Sequence, residues 1–134
     1  MNDSKSDYLE RKILNHVLGV EAYTPAAGLY VSLHTGDPGE SAGDDEVIAG
    51  DSSYARKVVT FDPSSTDGDG ITTSASNNEI LWTNLPTTTV THIAIWDAVT
   101  GGAMLYKGEL VASKEFTEGE DFVIHAGSLI VGEK

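Results

Sequence analysis

Leu29-Tyr30-Val31-Ser32-Leu33-His34-Thr35, running directly into Gly36-Asp37-Pro38-Gly39-Glu40, is the stretch from which the fold is read. Leu29, Val31 and Leu33 alternate with Tyr30, Ser32 and His34, the period of two that marks a half-buried strand. Glycine and proline then stop the strand in an acidic turn. Downstream, Tyr54-Ala55-Arg56 opens a second β-like run over 54–61, with Val58 and Val59 at its centre. Outward from these two strands the pattern continues. A Pro/Ser/Asp/Gly turn cluster occupies 62–70, and weaker strands are predicted over 71–75 and 79–83, leading to Leu85-Pro86. The strongest strand is 89–98. Strict alternation there puts Val90, His92, Ala94 and Trp96 on one face and Thr91, Ile93, Ile95 and Asp97 on the other. Thr100-Gly101-Gly102 reads as a hairpin turn into 104–111. A last pair, 121–125 and 128–131, flanks Ala126-Gly127. About eight short strands with turns between them predict a mainly β fold, an antiparallel β-sandwich or jelly-roll-like domain over 28–131.

Before the strands, the period is that of a helix. Leu9, Ile13, Leu14, Val17 and Leu18 share a face over 6–18, opposite Glu10, Arg11, Lys12, Asn15 and His16. Ser6 or Asp7 is the predicted N-cap, Glu10 stands three residues after Asp7 as in a capping box, and Gly19 is the predicted stop. The amphipathic pattern implies a helix laid against the core or against a partner. No repeat or linker divides the 134 residues, so a single domain over 1–134 is expected.

Composition narrows the function classes. Twenty-one acids against eight bases give a formal charge of −13, which disfavours phosphate backbones and anionic membranes as partners. No cysteine is present, which removes disulfides, thiolate metal sites and cysteine nucleophiles. The start of the chain is polar and no apolar run approaches the roughly 20 residues of a bilayer span, so a soluble chain without a readable export signal is expected.

Several patterns resemble chemistry without its context. Gly39-Glu40-Ser41-Ala42-Gly43 has the letters of a serine nucleophile elbow, but that motif needs a buried strand before it and a helix after it. His16, His34, His92 and His125 lack metal-ligand spacing. His34 and His125 fall at polar-facing strand positions, and His92 shares a face with Trp96 and reads as a packed histidine. Asp37, Glu40, Asp44, Asp45, Glu46 and Asp51 form a stretch without a base. Solvated charge is the ordinary explanation, and a weak divalent-ion site is the alternative. Asp67-Gly68-Asp69-Gly70 begins like a calcium loop, but Ile71 takes the next ligand position and no glutamate closes it. Trp82 and Trp96 lie in apolar strand patterns, which implies core burial, with a sugar-stacking platform as the alternative. The residues therefore predict no catalytic group, no metal and no cofactor.

The order of pieces resembles a family of short tailed-bacteriophage virion proteins, usually labelled tail-fibre or minor structural proteins. The resemblance rests on the helix, the strand ending in Asp37-Pro38-Gly39-Glu40, Glu46-Val47, Tyr54-Ala55-Arg56, the strand 90–98, Thr100-Gly101-Gly102 and the closing Ala126-Gly127 segment. It covers nearly the whole chain. The resemblance implies a non-enzymatic structural component of the virion, made in the host cytoplasm. A fibre shaft needs heptads, a triple-stranded β repeat or a collagen-like glycine period, and this chain has none. The expectation is therefore a capsid decoration protein that stabilises the mature head. The alternative is a tail-fibre or tail-associated protein, such as a carbohydrate-binding adhesion module. Expected partners are the major capsid protein or tail proteins and further copies of the chain, for instance as a trimer. Expected contact residues are Leu9, Ile13 and Val17 on the helix, Asp37, Glu40, Asp44, Asp45 and Glu46 in the acidic loop, and Tyr54 and Arg56.

Overall fold

The computed structural model describes residues 5–133, so the first four residues of the polar N-terminal run lie outside it. Among the described residues it holds one helix and nine strands, all paired antiparallel. Helix α1 spans Asp7–Val17, one residue shorter at each end than predicted. Ser6 is its N-cap, with Oγ accepting from the Leu9 N–H at 3.2 Å, and Asp7 sits inside the first turn, where its charge suits the helix dipole. At the other end Gly19 takes φ +75°. The Val20 N–H reaches the Asn15 carbonyl at 2.8 Å and the Gly19 N–H reaches the His16 carbonyl at 3.3 Å, a Schellman closure.

The strands are β1 (Leu29–His34), β2 (Lys57–Val59), β3 (Ser65–Thr66), β4 (Thr72–Ala75), β5 (Ile80–Trp82), β6 (Thr88–Trp96), β7 (Met104–Phe116), β8 (Phe122–Ile124) and β9 (Ile130–Glu133). They form sheets ordered β2-β1-β6-β7, β3-β4-β9 and β5-β8. Val31, Leu33, Val59, Ile93 and Ile95 project from one face of the four-stranded sheet and meet Ile80, Trp82 and Ile124 of the β5-β8 pair across a shared apolar core. Trp82 stacks on Phe122 with centroids 5.7 Å apart, and its Nε1–H donates to the Ala55 carbonyl at 2.9 Å. Its ring and its one donor are both satisfied in the interior. Sheets facing one another over a common core make the architecture sandwich-like.

Four expectations are corrected. First, β1 is not half-buried: Ser32 and His34 are as fully enclosed as Val31 and Leu33, because the acidic loop folds back over the sheet's outer face. His34 is therefore not polar-facing, whereas His125 is exposed. Second, β6 does not alternate throughout. A register shift between Val90 and His92 moves Val90 onto the core face with Ile93 and Ile95, while Ala94 and Trp96 pack with Met104 on the other. Third, the final two strands do not pair with each other. β8 pairs with β5, and β9 pairs with β4. Fourth, the run 54–61 contributes only Lys57–Val59 to the sheet, and the strand after the hairpin runs on to Phe116. In β7, His92 faces Glu109 and Val90 faces Lys114, so residues 110–113 stand as a bulge opposite Thr91, in which Leu110 packs against the core and Val111 is fully exposed.

The glycine-rich turns behave as their chemistry requires. Gly101 and Gly102 both take positive φ in the β6–β7 hairpin, where Asp97 Oδ1 accepts from the Ala103 N–H at 2.7 Å. Asp67 Oδ1 accepts from the Asp69 and Ile71 N–H groups at 2.8 and 3.0 Å, so this carboxylate caps the β3–β4 turn.

Candidate functional site

The motif-bearing residues converge on the outer face of the four-stranded sheet. The loop after β1 returns alongside it: the Thr35 N–H bonds the Asp45 carbonyl and the Val47 N–H bonds the Leu33 carbonyl, both at 2.9 Å. Gly43, at φ +69°, lies against the edge of the Trp96 ring, and a Cβ there would overlap the ring. Pro38 is fully buried. Lys107 on β7 ties down the loop's first half, its Nζ 2.9 Å from Asp37 Oδ1 and 3.1 Å from Glu40 Oε1. The Asp7 N–H bonds the Glu40 carbonyl at 3.0 Å, which joins the helix start to the same loop.

Beneath the loop a hydrogen-bonded chain crosses the sheet. The Trp96 Nε1–H donates to Ser32 Oγ at 2.8 Å, and Ser32 Oγ lies 2.6 Å from His34 Nε2. His34 Nδ1 lies 2.7 Å from the Asp44 carbonyl. A carbonyl only accepts, so Nδ1 carries the proton, and in the neutral imidazole that burial favours Nε2 accepts from Ser32. Burial pushes the His34 pKa down, against the opposing pull of the Asp44 carbonyl and the Glu46 carboxylate.

Arg56 completes the arrangement. Its guanidinium lies 3.7 Å from the Trp96 ring centroid. Nη2 meets Glu46 Oε1 at 3.0 Å and Nε meets Oε2 at 3.2 Å, a bidentate pair. Nη1 donates to the Ala98 and Gly101 carbonyls at 3.1 and 2.8 Å. The Tyr54 hydroxyl donates to Glu46 Oε2 at 2.8 Å and accepts from the Leu33 N–H at 3.0 Å. Partial burial pushes the Glu46 carboxyl up, but hydrogen bonds from Arg56 and Tyr54 outweigh it and hold the group below the usual carboxylate range. Burial pushes the Tyr54 hydroxyl pKa up strongly, and Glu46 adds to the rise. Four of Arg56's five N–H donors are thus engaged inside the chain, the arrangement of a clamp.

Of the residues expected to meet partners, the structure brings Glu46, Tyr54 and Arg56 together, and their polar groups face one another. Asp37 and Glu40 share Lys107. Asp44 and Asp45 are exposed and offer their main-chain carbonyls inward, to His34 and Thr35. On the helix, Leu9 is buried, Ile13 is half-buried and Val17 is exposed. Sequence reasoning missed Lys107, Ser32, His34 and Gly43 as members of this locus. The available signal was a polar Ser32/His34 pair on an otherwise apolar central strand. Ser41 lies in an exposed turn with no helix after it. Among the described residues no three His, Asp or Glu side chains are grouped as for a metal ion, and no helix is long and apolar enough to cross a membrane.

Several elements of the family resemblance therefore have a place in one construction, while the closing Ala126-Gly127 segment lies elsewhere, its Gly127 N–H bonded to the Ser76 carbonyl. Glu46-Val47, Tyr54-Ala55-Arg56, the end of β6 and the Thr-Gly-Gly hairpin meet at Trp96 and Arg56, and the Asp-Pro-Gly-Glu turn is tied beside them to Lys107. No curated protein matches the chain. A family model described as podophage GP4 fiber I protein gp80 matches residues 4–132. The chain belongs to that family, a group of tailed-phage virion structural proteins.

Proposed function

We propose that the chain is a non-enzymatic subunit of the phage fibre apparatus, a globular β module that joins neighbouring virion proteins rather than a length of shaft. The carrying observation is the match to a fibre family over residues 4–132. Glu46, Tyr54 and Arg56 are tied together within the chain as a clamp on the loop, so in this reading they brace the module and do not themselves meet a neighbour. A chain of −13 suits an outer particle surface, where like charge keeps particles apart. Copy number tests the proposal: quantitative mass spectrometry of purified virions against the major capsid protein should give a few to a few tens of copies per particle. Near parity with the capsid protein would support head decoration instead, and absence from the particle would end the virion reading.

A further inference from the structure

β8 is bonded along one edge only. Phe122–Ile124 pair with Ile80–Trp82 of β5, and along the other edge no backbone group of the described residues meets them. A strand edge without a partner is a template for a further strand. The edge of β2 is different, because the Asn78 side chain closes it: Nδ2–H donates to the Val58 carbonyl at 3.1 Å and Oδ1 accepts from the Thr60 N–H at 2.9 Å.

A groove of about 250 Å³ follows the open edge. Phe122, Val123, Ile124 and His125 all line it. Side chains of successive strand residues point to opposite faces, so a groove touching this whole run lies beside the backbone itself. Ile93 and Leu110 line it from β6 and β7, and Leu110 is placed there by the β7 bulge. Its volume is below the roughly 300–1,000 Å³ of pockets that hold drug-sized molecules, and suits the side chain of a docked peptide. No Asp or Glu lines the groove, although the chain carries 21 of them. Lys114 does line it and forms no ion pair among the described residues, whereas His125 has Glu79 Oε2 at 3.9 Å. Arg11 and Lys57 are unpaired too, but Arg11 lies on a helix, whose backbone bonds are internal, and Lys57 lies on β2, whose edge is closed.

We infer that the open edge of β8 receives an extended acidic segment of a neighbouring virion protein, which adds a strand to the β5-β8 pair. Each feature of the groove selects part of the occupant. The unpaired edge takes main-chain hydrogen bonds, which an extended peptide offers in register. The apolar lining takes one of the alternate side chains, aliphatic or aromatic. Lys114 takes a carboxylate, and a basic segment would meet like charge there. This deepens the fibre-subunit reading and rests on it for the identity of the neighbour. β8 offers only three residues of edge, so a single contact is weak, and several subunits engaging one partner assembly supply the avidity.

The test is a multivalently displayed library of random octapeptides, selected on the intact chain and separately on Lys114→Glu. Lys114 is exposed, and circular dichroism melts confirm that the variant folds as the parent does. Peptides selected on the parent are expected to alternate aliphatic or aromatic residues with an Asp or Glu, and those selected on Lys114→Glu to exchange that acid for Lys or Arg. As a free synthetic peptide, the parent's best sequence should bind at about 100 µM, and at least tenfold more weakly to the variant. In that complex, amide hydrogen exchange should slow at Phe122–Ile124. No enrichment on the parent, equal binding to the variant, or protection confined to another surface would each overturn the inference. A concentration-dependent dimer of the parent that Lys114→Glu dissolves would put a second copy in the groove and overturn the choice of partner. Failure here is distinguishable from failure of the fibre reading, since copy number in the virion does not depend on peptide binding in solution.

Discussion

At the scale of single residues, Arg56 and His34 hold the outer face of the sheet by different means. The Arg56 side chain is only 8% exposed and its partner Glu46 25%, so the pair lies in a medium where losing one member leaves an uncompensated charge. Arg56→Ala is expected to cost about 3 kcal/mol in urea denaturation. Arg56→Lys should recover only part of this, because one ammonium cannot span the carboxylate and two carbonyls while stacking on Trp96. A loss within experimental error for Arg56→Ala would contradict the clamp. His34 makes stability depend on pH in a defined window. Its folded pKa is lowered, so between that value and the unfolded value of about 6.5 the unfolded chain binds more protons. The His34 contribution is therefore complete above about 6.5 and shrinks as pH falls below it. Glu46, whose folded pKa is also lowered, stabilises above its unfolded value and loses this contribution only at more acid pH, as its folded pKa is crossed. His34→Gln should flatten the upper limb of a stability-against-pH curve and Glu46→Gln the lower. A curve unchanged by His34→Gln would mean that the imidazole does not remain neutral in the fold.

Among the elements, α1 is fastened at its start and free at its end. The Ser6 N–H bonds the Leu105 carbonyl, Ser6 Oγ donates to the Met104 carbonyl, and the same oxygen caps the Leu9 N–H, so one buried serine docks the helix on β7 and closes its first turn. Ser6→Ala is expected to lower stability by about 1–2 kcal/mol, more than an exposed cap is worth, as measured by chemical denaturation. Gly19→Ala places a Cβ at φ +75° with nothing nearby to clash, so its cost is the left-handed backbone alone, about 1–2 kcal/mol. Equal losses for Gly19→Ala and Gly43→Ala would show that the Trp96 ring yields freely, since the latter adds a steric overlap to the same backbone penalty. These ends were legible in sequence because caps and stops are local, and so were most strands, whose period of two is local as well. What was not legible depends on distant segments. The burial of Ser32 and His34 needs a loop to fold over them, the Val90 face depends on a register shift against β7, and β8 and β9 find partners far away in sequence. The Glu46–Tyr54–Arg56 cluster was visible only as a spacing, and Lys107, which holds the loop from another strand, left no signal in its own neighbourhood.

For the whole molecule, charge is the term that local reading leaves out. The net of −13 is spread over a small body whose resolved ion pairs are mostly solvent-facing, among them Lys12–Glu21 and Lys107–Asp37. Exposed pairs contribute about 0–1 kcal/mol each, and salt weakens them. The same salt weakens the repulsion among the excess carboxylates, which acts across the body and opposes the compact state. With 21 acids and eight bases, repulsive pairs outnumber attractive ones, so screening should favour the fold. The melting temperature at neutral pH is expected to rise by about 3–5 °C between low and roughly 0.5 M sodium chloride, corresponding to ~1 kcal/mol for a chain of this size. Calcium chloride at matched ionic strength then separates general screening from ligation. The carboxylates of Asp37, Glu40 and Asp67 already have intrachain partners, so calcium should add little beyond the sodium value. A further rise of several degrees at millimolar calcium would reveal a built cation site in the acidic loops, and a fall in melting temperature with sodium chloride would show that the ion pairs, not the excess charge, govern the stability of the fold.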